Sequence, residues 1–221
     1  IEINPCSELI TFSTKGRKRD ILSADETLML FKYGIWQNEM AKIGNMLAFT
    51  CGLRMGEIRA LQREDIGKDR LWIRHSYSNI DKLKCTKNGK DRIVPLPDFM
   101  RNKLLHLFIT NPHKAEGDNY VFWGMNPHVP LGAEVFNKNF RRALYSIGIK
   151  KQNIEERNIV FHSWRHTYAT YVVANIDLKH AQKILGHTSI DMTKHYADHE
   201  IEEELLDVAK TSNILFKKIF A

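Results

Sequence analysis

The sequence predicts a predominantly α protein with one small antiparallel β-sheet, an α+β class. Three observations carry that expectation. Capped, helically periodic apolar segments occupy both flanks of the chain. A stretch rich in β-branched and aromatic residues, residues 70–97, interrupts them and contains Asn88-Gly89, the strongest short hairpin signal. No internal repeat or low-complexity segment is visible along the 221 residues.

The elements follow in order. Residues 1–20 read as a linker from a missing N-terminal domain, closing on the basic Thr14-Lys-Gly-Arg-Lys-Arg-Asp20. The chain opens at Ile1 rather than Met, which reads as a piece of a longer protein. Ser23 with Glu26 three residues on forms a capping box, so a helix is expected from there to about Gln37. A second helix is expected over Met40–Thr50, broken by Gly52, and a short third over Met55–Leu61. Leu71–Tyr77 and Arg92–Leu96 read as strands, joined through the tight basic turn Lys87-Asn-Gly-Lys-Asp91. Helices return at 98–109 and 133–147, with a short Tyr120–Trp123 strand between them, and everything from Ser163 onward reads as helical in short pieces. Residues 21–211 are thus expected to form one domain. The tail, 212–221, carries Leu215, Phe216, Ile219 and Phe220 on one helical stripe.

Composition narrows the partners. Hydrophobic residues make up 43% of the chain, enough for a real core, and no apolar run approaches the roughly 18 residues a membrane helix needs. No secretory signal is visible. Cys6, Cys51 and Cys85 are far apart and odd in number, which suits reduced thiols in a cytoplasm. Lys and Arg outnumber Asp and Glu by 33 to 26, a formal charge of +7. A positive balance favours a polyanion, because each neutralised phosphate releases counterions.

Several polar residues punctuate the helical parts. Arg54 lies between the Gly52 break and the next helix, where its guanidinium can sit at a helix start. His162 and Arg165 are three apart at another helix start, hence on one face. A guanidinium matches two phosphate oxygens, and an imidazole moves protons near neutral pH. His166 follows His162 by four residues, but the zinc-protease pattern needs Glu where Ser163 stands, so no metal is expected. In Ile184-Leu-Gly-His-Thr-Ser-Ile-Asp-Met-Thr-Lys-His-Tyr196, Gly186 reads as a C-cap, and Thr188 with Asp191 as a capping box for a last helix ending near Tyr196. Each of these residues alone reads as an ordinary surface or core side chain.

Together they resemble one family in order and wording: the tyrosine recombinases, also called the phage integrase family, and within it integrases of phages and conjugative transposons. Its first signature is similar to Thr50-Cys-Gly-Leu-Arg54-Met-Gly-Glu57, with Cys51 inserted. The hairpin resembles the family's Lys turn followed by Arg-x-Val-Pro-Leu, here Lys87 and then Arg92–Leu96. His162-Ser-Trp-Arg165-His166 and Leu185-Gly-His187 with Tyr196 complete the pattern, over about residues 20–200.

The resemblance implies the tyrosine recombinase catalytic-domain fold and DNA strand exchange through a 3′-phosphotyrosine, with Tyr196 as nucleophile. Arg54 and Arg165 would clamp the phosphate, and His162 would take the Tyr196 proton. Lys87, with Lys90 as the weaker alternative, would protonate the leaving 5′ oxygen. His187 would hydrogen-bond the phosphate, and Glu57 would support the arginine site. It further implies double-stranded DNA as partner, a homotetramer on DNA, accessory DNA-bending or excision factors, and a tail that docks on a neighbouring protomer. No cofactor is expected: phosphate-ester energy is stored in the enzyme link, and the sequence shows no Walker motif. Two rivals stand beside this reading: a type IB topoisomerase, and a DNA-binding module without catalysis.

Overall fold

The structure is a computed structural model, and it describes residues 19–85 and 91–175. The linker up to residue 18, Lys87, Lys90, His187, Tyr196 and the tail lie outside the described residues.

Helix α1, Ala24–Tyr33, opens on the Ser23 capping box. Its N-cap hydroxyl accepts from Glu26 N–H at 3.1 Å, and the Glu26 carboxylate accepts from Ser23 N–H at 2.8 Å. The helix stops four residues short of the expected Gln37. Asn139 and Ser146 capture the backbone donors that would have continued it: Ile35 N–H donates to Ser146 Oγ, and Gln37 and Asn38 N–H both donate to Asn139 Oδ1. Trp36 then folds back to stack on Phe31, ring centres 5.9 Å apart.

Helix α2, Glu39–Cys51, starts at Asn38, whose side chain accepts from Ala41 N–H, and ends at Gly52 in the left-handed conformation, φ +65°. It is buried from Met40 through Cys51 except at Lys42, so it forms the axis of the domain. Against it pack α5, Ala133–Ser146, and α7, Ser163–Asn175, with α4, Asp98–Ile109, and α3, Met55–Ala60, at lesser contact. Phe31, Phe49, Phe140 and Trp164 meet at the centre; Trp164 lies 5.2 Å from Phe31, 5.5 Å from Phe49 and 5.2 Å from Phe140. A further short helix, α6, spans Lys151–Glu156. Its end is tied to the chain's start: Arg157 donates to the Asp20 and Glu26 carboxylates and to Ile21 O.

The sheet region differs from expectation. The run Leu71–Tyr77 is split at Arg74 into β1, Arg70–Ile73, and β2, His75–Ser78. Strand β3, Lys82–Cys85, pairs with β2, and β4, Arg92–Pro95, pairs with β1, both antiparallel. The expected antiparallel pairing of the two strand regions is present in β1 and β4, while the chain also reverses between Ser78 and Lys82; the Asn-Gly segment lies outside the described residues. Arg74 leaves the ladder because its guanidinium is held by Asp65, Nε to Oδ1 at 2.8 Å. Lys82 takes the positive φ that closes the turn. Tyr120–Trp123 is likewise no strand: Tyr120 and Trp123 make single bridges, to Gln62 and Pro130. Val121 and Phe122 are fully buried, which is why the run looks like a strand in sequence. Among the described residues no helix is long and apolar enough to cross a membrane.

Candidate active site

Two helix starts and one strand converge beside Gly52. Arg54 is the N-cap of α3. Glu57, one turn on, reaches back and accepts the Arg54 backbone N–H at 2.9 Å through Oε2 and its side-chain Nη1 at 2.9 Å through Oε1. Arg92, the first residue of β4, grips the same carboxylate with both prongs, Nη1 to Oε1 at 2.8 Å and Nη2 to Oε2 at 2.7 Å. Burial by itself would push the Glu57 carboxyl up, but Arg92 and then Arg54 overcome it and hold it down at about 2. Glu57 is thus an anion at any physiological pH, 4% exposed.

Helix α7 begins with the His162-Ser-Trp-Arg165 box, whose residues divide their work. Ser163 and Trp164 face inward and are fully buried. Ser163 Oγ accepts from Val160 N–H, and Trp164 Nε1 donates to Asn45 Oδ1 at 2.8 Å. These contacts fix the helix start against α2. Arg165, 2% exposed, donates from Nη1 to the Gly52 carbonyl at 2.6 Å, a residue 113 positions away in the chain. Gly52 is suited to this place twice over. Its positive φ favours glycine, and a Cβ there would fall 2.2 Å from the Tyr168 ring.

His162 precedes α7, with its ring edge-to-face on that of His166 at 5.2 Å. Burial, then the charges of Arg165, Arg19 and Arg54, push its pKa down to about 4, against a smaller opposing pull from Glu57. His162 is therefore a neutral imidazole at neutral pH. Arg54 and Arg92 set two guanidinium groups against the Glu57 carboxylate, and Arg165 adds a third positive charge beside His162, so the described groups leave the site net positive. Arg54 is the more open of the two that touch Glu57, with 30% of its side chain exposed against 9% for Arg92.

The structure therefore brings together Arg54, Glu57, His162 and Arg165. Lys87, His187 and Tyr196 lie outside the described residues. Sequence reasoning missed three participants: Arg92, Arg19 and the Asn45–Trp164 pair. Arg92 stood in the quoted hairpin motif, and Asn45 was signalled by its place in an apolar helical run.

A helix-rich domain with a small antiparallel sheet is the fold of tyrosine recombinase catalytic domains. Residues 18–203 match the phage integrase family, and the chain belongs to that family. It is 27% identical over 205 residues to a tyrosine recombinase of Pseudothermotoga lettingae, covering 92% of this chain and 64% of that protein. It is 29% identical over 173 residues to tyrosine recombinase XerC of Chlamydia muridarum, covering 76% and 50%. The chain thus spans between half and two thirds of the length of these relatives. In fold it is similar to the Tn1549 transposon integrase in complex with a circular intermediate DNA, with TM-score 0.68, 17% identity and coverage of 91% of this chain and 68% of that one. It is also similar to XerA recombinase, with TM-score 0.60, 23% identity and coverage of 89% and 66%.

Proposed function

We propose that this chain is the catalytic part of a site-specific DNA recombinase that integrates or excises a mobile element by transesterification. The observation that carries the reading is the convergence of Arg54, held by the buried Glu57, Arg165, held by the buried Gly52 carbonyl, and a neutral His162.

The chemistry follows from those groups. Arg54 and Arg165 clamp the non-bridging oxygens, and their hold strengthens as charge develops on them; one such preorganised donor is worth on the order of 10²–10³ in rate. Tyr196 Oη attacks phosphorus, and the bond from phosphorus to the 5′ oxygen breaks. The tyrosine proton, with a reference pKa of about 10, passes to His162, which is already neutral. An arriving phosphate offsets the arginine charges that depress His162 and so restores its basicity. Lys87 protonates the departing 5′ oxygen, His187 hydrogen-bonds the phosphate, and Glu57 supports Arg54. General acid–base help of this kind is worth roughly 10²–10⁴. A 5′-hydroxyl of a partner strand then attacks the 3′-phosphotyrosine and releases Tyr196. Exchange of two duplexes calls for a tetramer on DNA, in the cytoplasm where the nucleoid lies.

Covalent trapping tests the reading. Protein mixed with nicked, labelled duplex from the element's ends, in EDTA, should give a denaturant-resistant complex that vanishes in Tyr196→Phe. A complex that survives Tyr196→Phe refutes the nucleophile, and its absence from wild type points to a DNA binder without catalysis.

A further inference from the structure

We propose that Arg92 is a positioning residue for the phosphate clamp: from β4 it locks Glu57, and Glu57 in turn aims Arg54, so that the seating of β4 and the direction of Arg54 are one linked state. The inference rests on the recombinase reading above.

The geometry argues it in three parts. Four donors meet the two Glu57 oxygens, two to each: Nη1 of Arg54 and Nη1 of Arg92 on Oε1, Arg54 backbone N–H and Nη2 of Arg92 on Oε2. The Glu57 carboxylate is thereby saturated, and its orientation is set by a planar two-pronged partner rather than by Arg54 alone. Arg92 is also the more enclosed arginine, which fits it to hold while the more open Arg54 faces outward. Finally, Arg92 opens β4, paired in register with Ile73 of β1, so its fork is carried by the sheet and not by α3. A displacement of the first residue of β4 is transmitted through the Arg92 fork to Glu57, and so to the helix start that carries Arg54.

Charge gives the link a readout. Glu57 is faced by Arg54 on α3 and Arg92 on β4; Asp65, Arg74 and His75 line the same pocket, and His162 is within its field from the start of α7. Without the Arg92 prongs, burial acts against the Glu57 anion with less opposition, and the carboxyl takes a proton at mildly acid pH. A protonated Glu57 has one acceptor fewer, and Arg54 loses its aim.

The test compares wild type with Arg92→Lys, which keeps the charge but not the fork, and with Arg92→Met. Removing one partner of a buried pair can unfold a protein, so Arg92→Lys is the decisive variant. In cleavage of nicked duplex from the element's ends, Arg92→Lys should lose on the order of 10²-fold in rate at pH 5.5 and recover most of it by pH 8, with KM for DNA within about twofold. Arg54→Lys should cost far less in the Arg92→Lys background than in wild type, because the two residues act as one unit. The Arg54 Nε–H resonance, identified by its loss in Arg54→Lys, should be sharp in wild type and averaged in Arg92→Lys. An Arg92→Lys protein with the wild-type pH profile, or losses that simply multiply, would overturn the inference. If wild type itself forms no covalent complex, the recombinase reading fails, and the Arg54 resonance still decides whether Arg92 positions it.

Discussion

His162→Gln should flatten the acid side of this protein's stability. The imidazole's pKa is held at about 4 in the folded chain, first by burial and then by Arg165, Arg19 and Arg54, and returns to about 6.5 on unfolding. Between those values the unfolded chain binds a proton that the native chain refuses. Stability is therefore full above pH 6.5 and falls as pH drops toward 4, with a slope of at most about 1.4 kcal/mol per pH unit. The whole window is worth at most about 3.4 kcal/mol, and about 2 once screening of a partly exposed ring is allowed for. The carboxylates Glu26 and Glu57 are depressed, so their contributions are lost only below about pH 4.5 and meet only the lowest end of this window. Urea unfolding of wild type and His162→Gln at half-unit steps from pH 4.5 to 8 measures the difference directly. Curves that run parallel across that range refute the account, since they would mean that His162 titrates alike in the folded and unfolded chain. The same depression makes His162, the proposed base, neutral before DNA arrives, so stability and the proposed catalysis draw on one electrostatic arrangement.

Two further substitutions probe the supports of the site. Trp164→Phe leaves the fully buried Asn45 Oδ1 without its indole donor and opens space among Phe31, Phe49 and Phe140; it should cost about 2–4 kcal/mol in denaturant unfolding, and a loss below about 0.5 would contradict the role given to that bond. Gly52→Ala combines a left-handed backbone with a Cβ that meets the Tyr168 ring. It should destabilise the fold by about 2 kcal/mol or more and slow DNA cleavage beyond that loss, by shifting the carbonyl that Arg165 grips. Wild-type cleavage by the folded Gly52→Ala protein would separate Arg165 from that carbonyl.

Much of the fold was legible because the signals were local. The Ser23–Glu26 capping box, the Gly52 helix break and the apolar run of α2 each depend on near neighbours in the chain, and each is found where the sequence places it. The errors have a common cause. The first helix ends at Tyr33 because Asn139 and Ser146, more than 100 positions away, take its backbone donors. The strand at 71–77 divides at Arg74 because of Asp65, and an additional strand, β3, pairs back on β2 across the turn at 79–81, while Asn88-Gly89 lies outside the described residues. Turn chemistry identifies where a chain can reverse, and cross-strand pairing selects among such places.

The same division holds for the site. The sequence by itself determined the family, the residue types of the proposed phosphate clamp and the placement of Arg54 and His162 at helix starts, because these are carried by short ordered motifs. Only the tertiary structure decided that Arg92 shares Glu57 with Arg54, that Arg165 anchors on the Gly52 carbonyl, and that His162 stands neutral among arginines. Those outcomes depend on burial and on charges brought together from distant parts of the chain. Spacing along a sequence does not contain them, because the field at a buried atom is set by distance in space.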